Sequence, residues 1–337
     1  MGSHPGSYRK VFIVGCPRSG TTWLADIFRS HPLTVNALET GLLDCLRTPW
    51  WETTRAAVGA AEPSAVPTAA ERLCDRLEAL LVRRRPPWYD AWRPTLLRCF
   101  DHRWAFLLHH TRLVPARLLR SRIHQVIVAY GRLHQLIDEA ERQGGLSRDA
   151  KEARIAAAVF DEYFVRAGGT ARHVLVEKTP SHLFHGRFLL GHFPEARLIE
   201  VVRDGRDVCV SMDSYKRWMP QERKYQMWLW VTSIEEGARL LADPDCAGRV
   251  LRVRYEELHR DRQAGIARLF EFAGLAATPD LVAQIAGATH ISRRRTGENR
   301  HFRKGIVGDF KGRMTAADLD LFRRFAGPTL ERLGYTW

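Results

Sequence analysis

Short apolar runs recur along the chain, and most are followed by a helical pattern. Val11–Gly15 (VFIVG) is the first. A turn at Cys16–Ser19 follows, and then Thr21–Arg29, where Trp23, Leu24, Ile27 and Phe28 share one face at helical spacing. Val174–Val176, Leu198–Val202 and Val250–Val253 are further runs of strand type. Leu183–His192, Asp207–Tyr215 and Arg223–Leu241 read as the helices that separate them. Apolar strands alternating with helices predict a parallel sheet flanked by helices, an α/β fold.

Between Thr40 and Thr170 no strand pattern appears. Ala70–Arg85, Pro115–Arg142 and Arg148–Arg166 read as amphipathic helices, broken at Pro86-Pro87 and Gly144-Gly145. This stretch is expected to be a helical insertion on the sheet within one domain over residues 8–337. It carries Trp50, Trp51, Trp88, Trp92 and Trp104, and Ala56–Ala70 reads as a mobile loop.

Composition adds a partner class. The 337 residues are 45% hydrophobic and 27% charged, the balance of a soluble globular protein. Lys and Arg number 52 against 38 Asp and Glu, a net charge of +14, which points to an anionic partner: nucleic acid, anionic lipid or a phosphorylated ligand. No apolar run is long enough to span a bilayer and no signal peptide opens the chain. The six cysteines are scattered without a CxxC pair, so neither a disulfide framework nor a zinc site is expected, and a cytoplasmic setting is.

Three segments carry candidate chemistry. Gly15-Cys-Pro-Arg-Ser-Gly-Thr-Thr22 lies between a strand and a helix with the glycine spacing of a P-loop, so its amides and the helix N-terminus form an anion cradle. Thr21 stands where a triphosphatase has its lysine, and the cation, Arg18, lies inside the loop instead. Arg203-Asp-Gly-Arg-Asp-Val-Cys-Val-Ser211 directly follows a strand, at the end where open α/β sheets bind ligands. Asp204 is placed to cap the next helix, and Arg203 and Ser211 to grip a second phosphate. Asn299–Lys311 is a basic loop in which Arg303, Lys304 and the Gly305 amide would close over a phosphate.

In this order the motifs resemble the sulfotransferases that use 3′-phosphoadenosine 5′-phosphosulfate (PAPS). CPRSGTTWL resembles their 5′-phosphosulfate loop, and RLIEVVRDGRDVCVSM their 3′-phosphate strand and helix. FRKGIVGDFK resembles the RKGxxGDWK of the cytosolic branch, with Phe310 for Trp, and Arg254-Tyr-Glu-Glu-Leu258 resembles the RYEDL segment. The resemblance implies a nucleotide-kinase-like P-loop fold. It assigns Arg18, Ser19, Gly20, Thr21 and Thr22 to the 5′-phosphosulfate and Trp23 to the adenine. Arg203, Ser211, Arg303, Lys304 and Gly305 go to the 3′-phosphate, and no metal is called for.

The base divides the branches. Cytosolic sulfotransferases use a His in a KTHLP-like segment, but here Pro180 stands at that place. Val176–Phe184 instead resembles the EKTPxYF segment of heparan and bacterial carbohydrate sulfotransferases, which makes Lys178 the cation near the sulfonate. In that branch, and in tyrosylprotein sulfotransferases, the base is a Glu soon after the P-loop helix and an HP dipeptide. His31-Pro32 and Glu39 fit that pattern, Glu39 being expected in a short loop, with His182 the runner-up. Cytosolic members also pair through a KxxxTVxxxE segment. Lys311 and Thr315 are kept here, but Ala316 replaces Val and Asp320 replaces Glu, so that dimer is expected to be weak or absent.

The expected enzyme is a PAPS-dependent sulfotransferase acting on the hydroxyl of a natural product, sugar or glycolipid and releasing adenosine 3′,5′-bisphosphate (PAP). The rivals are a P-loop kinase, or another nucleoside triphosphate enzyme, and a basic nucleic-acid-binding protein. The absence of a Walker lysine opposes the first, and the absence of an RRM, zinc-finger or helix-turn-helix pattern opposes the second.

Overall fold

The computed structural model describes residues 8–47, 145–214, 222–290 and 305–337, with Glu139 and Arg142 besides. Its centre is a five-stranded sheet of β1 (Lys10–Gly15), β2 (Thr34–Leu38), β3 (Val174–Lys178), β4 (Ala196–Val202) and β5 (Val250–Arg254). The spatial order is β2-β3-β1-β4-β5, and every neighbouring pair is parallel. The chain therefore leaves the central β1 toward one edge and later returns to build the other. That reversal opens a crevice at the carboxyl end of β1, where such sheets bind ligands.

Among the described residues the helices are α1 (Thr21–Arg29), α2 (Leu42–Leu46), α3 (Arg148–Arg166), α4 (Gly186–His192), α5 (Gly205–Asp213), α6 (Arg223–Ala242), α7 (Tyr255–Arg260), α8 (Arg262–Ala273), α9 (Pro279–Ala288) and α10 (Ala316–Arg332). Strand β1 shows why its sequence reads as one apolar run. Phe12 and Val14 enter a core completed by α3 and α4, while Val11 and Ile13 enter one completed by α1, α8 and α9. A parallel strand covered on both faces needs apolar residues at successive positions. A third core joins α5, α6 and α10 around Trp230 and Phe322.

Four of the five strands and five of the described helices (α1, α3, α4, α5 and α6) fall where the pattern placed them, α3 over the same residues, whereas α2 and α7 to α10 were not indicated. Two differences bear on the site. Leu183–His192 divides into a 3₁₀ turn, Pro180–His185, and then α4. Thr34–Leu38 forms an edge strand that the pattern did not indicate, so Glu39 directly follows a strand instead of a loop after α1. With only five residues, including Thr34 and Asn36, this segment owes its strand conformation to pairing with β3. The helices expected over 70–85 and 115–142, apart from Glu139 and Arg142, the loop over 56–70 and the five tryptophans of the insertion lie outside the described residues, as do Arg303 and Lys304. Among the described residues no helix is long and apolar enough to cross a membrane.

Candidate active site

The P-loop begins where β1 ends. Gly15 has φ +142°, and a Cβ there would lie 2.6 Å from the Val201 carbonyl oxygen of β4. Gly20, the N-cap of α1, has φ +108°, and its Cβ would lie 2.5 Å from the Tyr255 ring. Only glycine fits either place. No side chain caps α1, so its first amides, at the positive end of the helix dipole, have no intrahelical acceptor. Beside them the Ser19 hydroxyl is fully buried and has no hydrogen-bond partner. A buried, unpaired hydroxyl at an uncapped helix start suits a bound oxyanion. Cys16, within the same loop, is no nucleophile: burial pushes its thiol up to about 12.

Arg18, at φ +72°, turns toward α5, where its Nε donates to Ser211 Oγ at 3.2 Å. The phosphate loop and the β4–α5 unit thus meet side chain to side chain. Arg203, first residue after β4, is 7% exposed. Its Nη2 donates to the Ile306 carbonyl at 2.8 Å, its guanidinium lies 4.5 Å from the centre of the Tyr255 ring, and its buried Nε has no partner. Asp204 caps α5 by accepting from the Arg206 amide at 2.9 Å, as its place in the sequence predicts. Tyr255 lies under Gly20 and donates to the Gly305 carbonyl at 3.0 Å. Loop, strand end and C-terminal segment therefore share one wall. Trp23 is buried edge-on to Tyr255, its indole N–H donating to the Thr289 carbonyl at 3.0 Å, so it also forms part of the core. Thr21 is buried in the first turn of α1, and Thr22 is half-buried next to it.

Glu39 directly follows β2, and Lys178 ends the adjacent strand β3. The Glu39 amide donates to the Lys178 carbonyl at 2.7 Å, and Lys178 Nζ contacts Glu39 Oε1. The Lys178 side chain is only 3% exposed, whereas that of Glu39 is 44% exposed, so the carboxylate is the member of the pair open to an acceptor. Lys178 also pairs in register with Ile13 of β1, two residues before Gly15. Glu39 has φ +41°, a conformation costly for a side chain with a Cβ.

What holds Glu39 there is a buried network that the sequence did not single out. Glu177 is fully buried, and its Oε1 accepts from the Thr40 amide (3.2 Å), the Thr40 hydroxyl (2.8 Å) and the Thr179 hydroxyl (2.5 Å). Its Oε2 lies 3.0 Å from His182 Nδ1, while His182 Nε2 accepts from the Leu43 amide at 3.3 Å. Burial alone would raise the Glu177 pKa, but the adjacent His182 and the hydrogen bonds that it, Thr179 and Thr40 donate outweigh it and hold the carboxyl below the ordinary range. His182 is 0% exposed and both its ring nitrogens are engaged within this network. His31, of the HP dipeptide, is likewise structural, bridging the Ala276 carbonyl and the Leu33 amide.

The family model for the sulfotransferase family matches residues 10–85 and 87–280. The chain belongs to the sulfotransferase family. Among solved structures this sulfotransferase is similar to a mouse sulfotransferase complexed with PAP, at 14% identity and TM-score 0.48, covering 97% of this chain and 88% of that one. It is also similar to a sulfotransferase from Mycobacterium avium, at 16% identity and TM-score 0.48, covering 98% and 78%. A third is the sulfotransferase domain of the curacin biosynthetic pathway, at 14% identity and TM-score 0.47, covering 98% of each chain. No curated protein matches the sulfotransferase by sequence.

Proposed function

We propose that this sulfotransferase moves the sulfo group of PAPS to a hydroxyl of a small molecule: a natural product, sugar or glycolipid. The observation that carries this reading is the convergence, at the carboxyl ends of β1, β2, β3 and β4, of an uncapped P-loop, the buried Arg203 and the Lys178–Glu39 pair. Ser19, Gly20, Thr21 and Thr22 would hold the 5′-phosphosulfate by amides and hydroxyls. Arg203, Ser211 and Gly305, with Arg303 and Lys304, would hold the 3′-phosphate, and Arg18 would hold the sulfonate together with the loop amides. Trp23 borders the adenine side. The unpartnered atoms of Ser19 and Arg203 fit a ligand with anionic groups at both places.

The donor supplies a sulfo group on a phosphate leaving group. The acceptor oxygen forms the new S–O bond, the S–O bond to phosphate breaks, and the hydroxyl proton passes to Glu39 Oε. Lys178 keeps the Glu39 carboxylate oriented and places positive charge where negative charge develops. The guanidinium groups of Arg18 and Arg203, with the loop amides and hydroxyls, would neutralise the donor's charge, so transfer is expected without a metal. Thr315 of the segment that pairs cytosolic members instead caps α10 in a capping box with Asp318, and the enzyme is taken to act without that dimer.

The test is a panel of hydroxyl acceptors incubated with PAPS and read by mass spectrometry. Gain of one sulfo group with release of PAP is expected. Glu39→Gln should lower kcat by about 10²–10⁴ and leave PAP affinity unchanged. A Glu39→Gln enzyme with wild-type turnover would remove Glu39 as the base.

A further inference from the structure

We infer that Asp207 is a positioning residue for the 3′-phosphate end, latching the C-terminal loop and Arg203 into one unit. The inference rests on the function proposed above. An acid in the first turn of a helix ordinarily faces solvent and its own helix amides. Asp207, in the first turn of α5, does neither. Its side chain is 0% exposed, and both oxygens reach a segment about a hundred residues away. Oδ2 accepts from the Gly308 amide at 2.8 Å and Oδ1 from the Phe310 amide at 3.0 Å. Arg203 Nη2 lies 3.5 Å from Oδ2 and donates to Ile306 in the same loop. The Phe310 ring is buried with the Arg206 guanidinium 4.0 Å from its centre, which closes the far end of the latch.

The placement makes little sense on charge alone, because a carboxylate beside an anion site repels the anion. The latch gives it a reason and reverses the sign expected on neutralisation. Asp207→Asn leaves a carboxamide of the same shape, but its NH₂ then faces an amide N–H of the loop. If charge alone mattered, the variant would bind PAP more tightly. If Asp207 positions the loop and Arg203, it binds PAP more weakly.

Calorimetry with PAP and with adenosine 5′-phosphate reads that sign. Asp207→Asn should weaken PAP by about 3- to 30-fold and change adenosine 5′-phosphate by less than about twofold. Unchanged or tighter PAP binding would overturn the inference, and so would an equal loss for both nucleotides. A wild-type enzyme that fails to distinguish the two nucleotides would overturn the functional reading and the inference together. Hydrogen exchange on the wild-type chain supplies a second measurement, independent of how the variant folds. PAP should slow exchange of the Gly308 and Phe310 amides and adenosine 5′-phosphate should not; equal exchange with both would sink the latch.

Discussion

Replacing Glu177 with Gln tests whether the network beneath Glu39 holds it in place. Glu177 accepts four hydrogen bonds through its two oxygens, three at Oε1 and one at Oε2. A carboxamide has one oxygen. If that oxygen keeps the Oε1 place, the NH₂ faces His182 Nδ1, which must lose its proton. The proton then moves to Nε2, where it meets the Leu43 N–H. If the amide is reversed, its NH₂ meets the Thr40 amide instead. Either way one buried donor is left unpaired, which costs about 1–3 kcal/mol. The Glu177 carboxyl is held below its ordinary pKa, so its stabilisation is complete above the unfolded-state value and is lost as the pH falls through the folded one. Thermal unfolding by circular dichroism should therefore show Glu177→Gln melting below wild type at neutral pH, with the gap closing in acid. Turnover should fall while PAP affinity holds, because Glu39 loses its support and the phosphate loop does not. A variant that melts with wild type at pH 7, or a gap that widens in acid, would refute this account of the network.

Two further outcomes follow from the same geometry. His182→Ala should lower the melting temperature, while turnover per folded molecule stays well short of the about 10²–10⁴ loss that removing a base produces; a stable but inactive His182→Ala enzyme would reinstate that histidine. Gly20→Ala puts a Cβ against the Tyr255 ring at positive φ, so it should cost about 1–3 kcal/mol in stability and weaken PAP binding together, as seen by melting and calorimetry.

The sequence disclosed the sheet because its inner strands are covered on both faces and must be apolar throughout, as Val11–Val14 shows. The loop was legible because its glycines, Arg18 and threonines all fall within the short stretch Gly15–Thr22. Strand β2 was not, since Thr34–Leu38 is short, lies at an edge and becomes a strand through β3. Local pattern is likewise silent on burial, so His182 could stand as runner-up to Glu39, yet His182 is enclosed and Glu39 44% exposed. Asp207 illustrates the same limit: beside Arg206 it reads as a helix-start acid, and its partners Gly308 and Phe310 come close only in the fold.

The proposed site takes a nucleotide with phosphates at both its 3′ and 5′ ends, bound without metal. Calorimetry of the wild-type enzyme in EDTA addresses it directly, with PAP, adenosine 5′-phosphate and, in a separate run with magnesium, ATP. The account predicts PAP binding in the chelator about 10- to 100-fold tighter than adenosine 5′-phosphate, the factor expected from charged hydrogen bonds to one phosphate. Equal binding of the two nucleotides, or tight binding of magnesium ATP alone, would contradict it.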